Sequence, residues 1–121
     1  LYILHQTGND VAAIQAHYQR AGISSLVASY VTEVNLWYCA ADVIITRAGA
    51  GALNELIFFD KPALIIPLEV ASTDHQLQNA TVVAALQPHR WRVVRQHALA
   101  TQPTLLADTL AALLNCQKTA Q

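Results

Sequence analysis

Short apolar runs separated by helix-length segments constrain this chain more than any other feature. The runs are LYILH (1–5), SLVAS (25–29), DVIIT (42–46), PALIIP (62–67) and WRVV (91–94). In DVIIT the apolar residues follow one another without polar alternation, the pattern of a strand covered on both faces. Between the runs, apolar residues recur at helical spacing. Val11, Ile14 and Tyr18 lead up to Gly22, with Asn9 or Asp10 as the expected cap and Gly22 as the expected stop. VNLWYCA (34–40) reads as a short helix with Leu36 and Trp37 facing inward. GALNELIFF (51–59), TDHQLQNATVVAALQ (73–87) and PTLLADTLAALLN (103–115) complete the series. In the last of these, Thr101 is the expected cap, Pro103 a first-turn residue, and Leu106, Leu110 and Leu113 the inner face. Strands alternating with helices imply βαβ units with right-handed crossovers. The expected fold class is α/β, a Rossmann-like parallel sheet with helices on both faces.

Composition narrows the function classes. With 12% charged residues and a formal net charge of −1, the chain has no basic stripe and no electrostatic footprint for nucleic acid. No run reaches the roughly 18 apolar residues of a membrane-spanning helix. Cys39 and Cys116 have neither a CxxC partner nor metal-ligand spacing and are expected to be reduced thiols. No metal is expected. The chain contains no Met and opens on an apolar run, so the sequence reads as a piece of a longer protein. Missing strands would leave a sheet edge and apolar surface uncovered, and an association-prone chain is expected.

The segment RAGAGALNE (47–55) lies where strand DVIIT turns into a helix. In parallel α/β sheets, ligands sit outside the C-terminal ends of the strands, at such turns. Gly49 is expected to adopt a conformation that a side chain would block. Ala50, Gly51 and Ala52 leave the first helical N–H groups, at the positive end of the helix dipole, open to an anion such as a diphosphate. Glu55, about one turn on, can accept hydrogen bonds from a diol. The alternative is that small residues merely let the helix pack closely on the sheet. A second polar cluster, DHQLQNA (74–80), follows the PALIIP run by a loop at the same edge. Its Gln76 and Asn79 share a helix face and suit sugar hydroxyls. His5 is expected to be a hydrogen-bonded structural histidine.

HQTG, ADVIITRAGAGALNEL, KPALIIP and DHQLQNA, in this order and spacing, resemble the C-terminal half of the MurG-type N-acetylglucosaminyltransferases of glycosyltransferase family 28. The resemblance covers nearly the whole chain. It implies one half of a GT-B fold, truncated at its N-terminus, with residues 1–121 forming a single, partial donor-binding domain and the acceptor domain absent. The implied activity is transfer of GlcNAc from UDP-GlcNAc to a lipid-linked acceptor, undecaprenyl-diphospho-MurNAc-pentapeptide. That reaction belongs to peptidoglycan synthesis, at the cytoplasmic face of the bacterial inner membrane. The implied UDP-GlcNAc-binding set is Val31, Arg47, Gly49, Ala50, Gly51, Ala52, Leu53, Asn54, Glu55, His75, Gln76 and Asn79. Val31 would present its backbone to uracil, Arg47 would organise the loop and Ala50–Ala52 would hold the diphosphate. Glu55 would take the ribose hydroxyls, and Gln76, with His75 and Asn79, the GlcNAc hydroxyls. Some relatives carry Thr where Ala52 stands, so here only backbone donors serve. The catalytic base lies in the missing half, and this chain holds no catalytic residue. Two alternatives keep the same donor site: a stand-alone UDP-sugar-binding subunit that works with a membrane-anchored partner, and a GT-B transferase with another lipid acceptor.

Overall fold

A computed structural model describes residues 1–70 and 75–119, with side chains through residue 115. It divides into two compact units, Leu1–Cys39 and Ala40–Gln121. In the first, β1 (Tyr2–Gln6) pairs in parallel with β2 (Ser24–Ala28), Tyr2 opposite Ser24 and Gln6 opposite Ala28. The connecting α1 (Val11–Arg20) half-buries Val11, Ile14 and Tyr18, as their spacing predicts. Asp10 does occupy the N-cap position, but at φ 56° and without a side-chain capping bond. At the other end Gly22 takes φ 70°. The Ile23 N–H donates to Tyr18 O and the Gly22 N–H to Gln19 O, a Schellman stop that satisfies the last carbonyls. The Tyr18 hydroxyl lies 2.7 Å from His5 Nδ1, so His5 is the hydrogen-bonded histidine expected. The α2 helix (Val34–Ala40) departs from expectation in its inward face. Tyr38 is buried and Leu36 exposed, because in a run of bulky residues one turn can bury only part of LWY.

The second unit is a three-stranded parallel sheet, β3 (Ile44–Thr46), β4 (Ala63–Ile65) and β5 (Trp91–Val93), with β4 in the centre. Ile44 is opposite Ala63, and Ala63 is opposite Trp91. All of β4 is fully buried. Ala63 and Ile65 face one side, in a cluster with Ala48, Leu53 and Leu56 from around α3 (Ala50–Phe59) and Ala80 and Ala84 of α4 (Gln76–Ala84). Leu64 points to the other face, where α6 (Leu105–Thr119), packed on β4 through the side that buries Leu113, supplies the cover. Parallel strands with helices on both sides are the Rossmann-like arrangement expected from the sequence.

Two expectations for the C-terminal region are corrected. A helix not foreseen, α5 (Gln96–Thr101), precedes α6, so Thr101 closes α5 instead of capping α6, its hydroxyl donating to His97 O at 3.2 Å. Leu110, half-buried, and Leu113, buried, lie on the inner face of α6 as expected, together with Leu105, Thr109 and Ala112, whereas Leu106 is exposed. Thr109 fits because its hydroxyl donates to Leu105 O at 2.8 Å, leaving no bare polar atom in the core. Thr73 and Asp74, expected to open the fourth helix, and the side chain of Cys116 lie outside the described residues. Cys39 is exposed. Phe58 on α3, Val82 on α4 and Leu86 in the turn after α4 are exposed. Away from the loop edge, Asp60 ends α3 at φ 54° and is held by Arg90, whose Nη1 donates to its carboxylate at 2.8 Å and Nη2 to its carbonyl at 2.7 Å.

Candidate functional site

At the C-terminal edge of the second unit's sheet, each strand runs into a loop that carries polar groups. After β3, Arg47, Ala48 and Gly49 lead directly into α3. The first helical bond runs from Leu53 N to Gly49 O at 3.0 Å, so the N–H groups of Ala50, Gly51 and Ala52 precede it. No side chain caps this end. These donors and the helix dipole make the start of α3 attractive to an anion. Among the described residues the space outside it is free: a Cβ added at Gly51 would meet none of them within 4 Å. Close packing on the sheet therefore does not require a glycine at 51. The residue that does pack inward is Ala48, fully buried in the core cluster.

Gly49 differs from expectation. Its φ of −66° and ψ of 157° are open to any residue, and an added Cβ would make only an ordinary 3.9 Å contact with Gln76 Nε2. Neither backbone strain nor crowding within the chain requires glycine there. Leu53 also leaves the candidate set as a ligand contact, because its side chain is in the core and its N–H is used by Gly49. Asn54 is exposed and Glu55 half-buried, one turn beyond the open N–H groups.

Gln76 at the start of α4 does more than the sequence suggests. Its Oε1 accepts from Leu68 N at 2.8 Å and from Ala48 N at 3.3 Å, so one amide joins the loop after β4 to the loop after β3. With the oxygen committed, Nε2 is the end turned towards Gly49. What Gln76 can offer a ligand is a donor, matched to acceptors such as sugar or phosphate oxygens. His75 is exposed at the N-cap position, and its carbonyl accepts from Asn79 N at 2.9 Å. The Asn79 side chain is exposed.

Arg47 ties the same edge together from another direction. Its Nη1 donates to Gln96 Oε1 at 3.2 Å and approaches Ile66 O at 3.4 Å. Beside it, Glu69 in the loop after β4 receives Arg95 in a forked pair, Nη2 at 2.7 Å and Nε at 3.0 Å. That hydrogen bond, reinforced by the carboxylate's charge, holds the Arg95 guanidinium above the usual arginine value. An open depression of about 290 Å³ lies beside Arg47 and Gln96, lined by Ile45, Thr46, Arg47, Ile66, Gln96 and Leu99. Sequence reasoning missed Glu69, Arg95 and Gln96, because RQHALATQ has no apolar period to mark a helix. In the first unit, described by itself, Val31 is buried and its N–H donates to Gln6 Oε1 at 3.0 Å. Only its carbonyl is left uncommitted by that bond.

The chain has counterparts among known proteins. The sequence profile described as Glycosyltransferase family 28 C-terminal domain matches residues 1–121. The chain is 41% identical over 83 residues to the UDP-N-acetylglucosamine--N-acetylmuramyl-(pentapeptide) pyrophosphoryl-undecaprenol N-acetylglucosamine transferase of Sorangium cellulosum, covering 66% of this chain and 20% of that protein. It is 39% identical over 79 residues to the protein of the same name from Verminephrobacter eiseniae, covering 64% and 22%. Among solved structures it is similar to Acinetobacter baumannii MurG, with a TM-score of 0.72 and 29% identity over 98% of this chain and 38% of that one. The chain spans about a fifth of the length of the curated relatives it matches.

Proposed function

The chain belongs to the glycosyltransferase family 28 C-terminal domain family, and on that premise we propose that residues 1–121 form the donor-binding domain of a UDP-GlcNAc-dependent hexosyltransferase. The acceptor, by analogy with the relatives' names, is N-acetylmuramyl-(pentapeptide) pyrophosphoryl-undecaprenol, which places the reaction in peptidoglycan synthesis. The acceptor site and the base that activates the acceptor hydroxyl belong to a further domain. Such an enzyme works at the cytoplasmic face of the inner membrane as a peripheral protein. Among the described residues, no helix is long and apolar enough to cross a membrane.

One observation carries the proposal: α3 begins uncapped, with three N–H groups ahead of its first hydrogen bond and open space over Gly51. Those groups would hold the diphosphate of UDP and stabilise the charge that develops on it as the sugar departs. Glu55, one turn along α3, would accept from the ribose hydroxyls. Gln76 would donate through Nε2 to a GlcNAc oxygen, with His75 and Asn79 beside it. Val31, whose N–H is bonded to Gln6, would read uracil through its carbonyl, by accepting from the ring N–H. Charge stabilisation would come from the backbone N–H groups of Ala50–Ala52, with Arg47 organising the loop, and no metal is part of the proposal.

Calorimetric titration of the chain with UDP and UDP-GlcNAc tests it. Glu55→Ala should abolish the uridine-dependent heat, and Gln76→Glu should remove only the additional affinity for the sugar. Absence of UDP binding at millimolar ligand, with the chain shown to be folded, would overturn the proposal.

A further inference from the structure

The first two residues at the start of α5 each reach a different loop of the candidate site. Gln96 Oε1 receives Arg47 of the first loop at 3.2 Å. Arg95, the N-cap residue of α5, grips Glu69 of the second loop through two nitrogens. Neither contact packs the core: Arg47, Arg95 and Gln96 are exposed, and α5 has no buried residue. Exposed pairs of this kind add little to global stability. Their geometric effect is larger. Loop 47–49 sets the direction in which the Ala50–Ala52 N–H groups point, and loop 67–70 carries the Leu68 N–H that orients Gln76.

We infer that Arg95 and Gln96 are positioning residues, which hold the loops after β3 and β4 in the arrangement that presents donors to a ligand. The ligand, a nucleoside diphosphate, rests on the function proposed above; the positioning does not. Gln96 acts through Arg47, fixing its guanidinium against the end of β4, and Arg95 acts through Glu69. A polar tie at each loop lets one short helix set the site without contacting what binds there.

Amide hydrogen exchange on the ligand-free chain decides the matter. Gln96→Ala should raise exchange of the Ala48 and Leu53 amides, the hydrogen-bonded ones around loop 47–49, by about tenfold, the scale of one lost hydrogen bond, and leave β1 and β2 unchanged. Gln96→Glu should keep the protection, because its carboxylate still accepts from Arg47. Arg95→Ala should raise exchange at 68–70, and the swapped pair Glu69→Arg with Arg95→Glu should restore it. Unchanged exchange in both loops overturns the inference. So does a rise spread evenly over β3, β4 and β5, which would mean ordinary stabilisation instead of positioning. UDP titration of the same variants supplies the second readout. Gln96→Ala should weaken UDP about fivefold in the native background and not at all once Arg47 is Ala. If the native chain binds no UDP, the proposed function fails while the exchange result still decides the positioning.

Discussion

Replacing Gln76 in two different ways separates its two ends. In Gln76→Leu the Ala48 and Leu68 N–H groups lose their shared acceptor in a partly buried setting. The 2.8 Å bond to Leu68 is well formed and worth about 1.5 kcal/mol net, the 3.3 Å bond to Ala48 about 0.5 kcal/mol, so the loss is about 2 kcal/mol. For a chain of this size that lowers Tm by about 8 °C. Gln76→Glu keeps an oxygen in place and strengthens the acceptor, so its stability should stay within about 0.5 kcal/mol of the native value. What Glu lacks is the Nε2 donor. Denaturant unfolding of both variants, followed by titration with UDP and UDP-GlcNAc, gives the comparison. Leu should lose stability and affinity for both ligands, as the loops part. Glu should keep stability and UDP affinity, and lose the increment due to the sugar. If Glu destabilises as much as Leu, an acceptor at this position does not hold the Ala48 and Leu68 N–H groups, and the reasoning about what the site donates is wrong.

Other substitutions test separate parts of the structure. Gly51→Ala should stabilise α3 by about 0.5 kcal/mol, since the methyl meets nothing in the chain, yet weaken UDP by crowding the N–H groups; tighter UDP binding would refute the placement of the ligand. Gly49→Ala should cost less than about 0.5 kcal/mol in denaturant unfolding, given its extended backbone, and a loss several times larger would show a hidden constraint. Tyr18→Phe removes the hydroxyl beside His5 Nδ1 and should lower stability by about 1 kcal/mol, with a change in the His5 ring resonances by NMR; an unmoved ring would contradict the contact. Leu113→Ala should destabilise by about 2–5 kcal/mol and Leu106→Ala by well under 1 kcal/mol, and comparable losses at both would return Leu106 to the inner face read from the sequence.

The alternation of strands and helices was legible because each apolar run is bounded by turn residues and separated from the next by a segment of helical length. PALIIP reveals itself as a covered strand by the absence of polar interruption, whereas DVIIT, which reads the same way, is covered on one face only and leaves Ile45 exposed. The start of α3 was legible too, since few arrangements need Ala-Gly-Ala directly after a strand. The inner face of α6 was legible only in part: Leu110 and Leu113 lie on it and Leu106 does not. Leucines come in adjacent pairs at 105–106 and 113–114, so two stripes fit the helical period. The stripe that is buried includes a threonine whose polarity is masked by a bond to its own helix. Gly49 misled for a different reason: a glycine in a turn suggests positive φ, but the chain here enters α3 through ordinary extended geometry. The ties from α5 were invisible because contacts between residues as far apart as Arg47 and Gln96 leave no local trace in the sequence.

The central strand also bears on how the chain acquires its structure. β4 is only three residues long and its two faces are closed by elements far apart in sequence, α3 and α4 on one side and α6 on the other. Hydrogen bonds to β3 and β5 alone would leave Leu64 wet until the segment around Leu113 is in place. During synthesis the sheet therefore has to remain provisional while roughly fifty further residues emerge, a few seconds at ordinary elongation rates. Such long-range closure makes folding of this unit slow for its size. Its apolar strands stay exposed to neighbours during that interval, until α6 emerges to seal them.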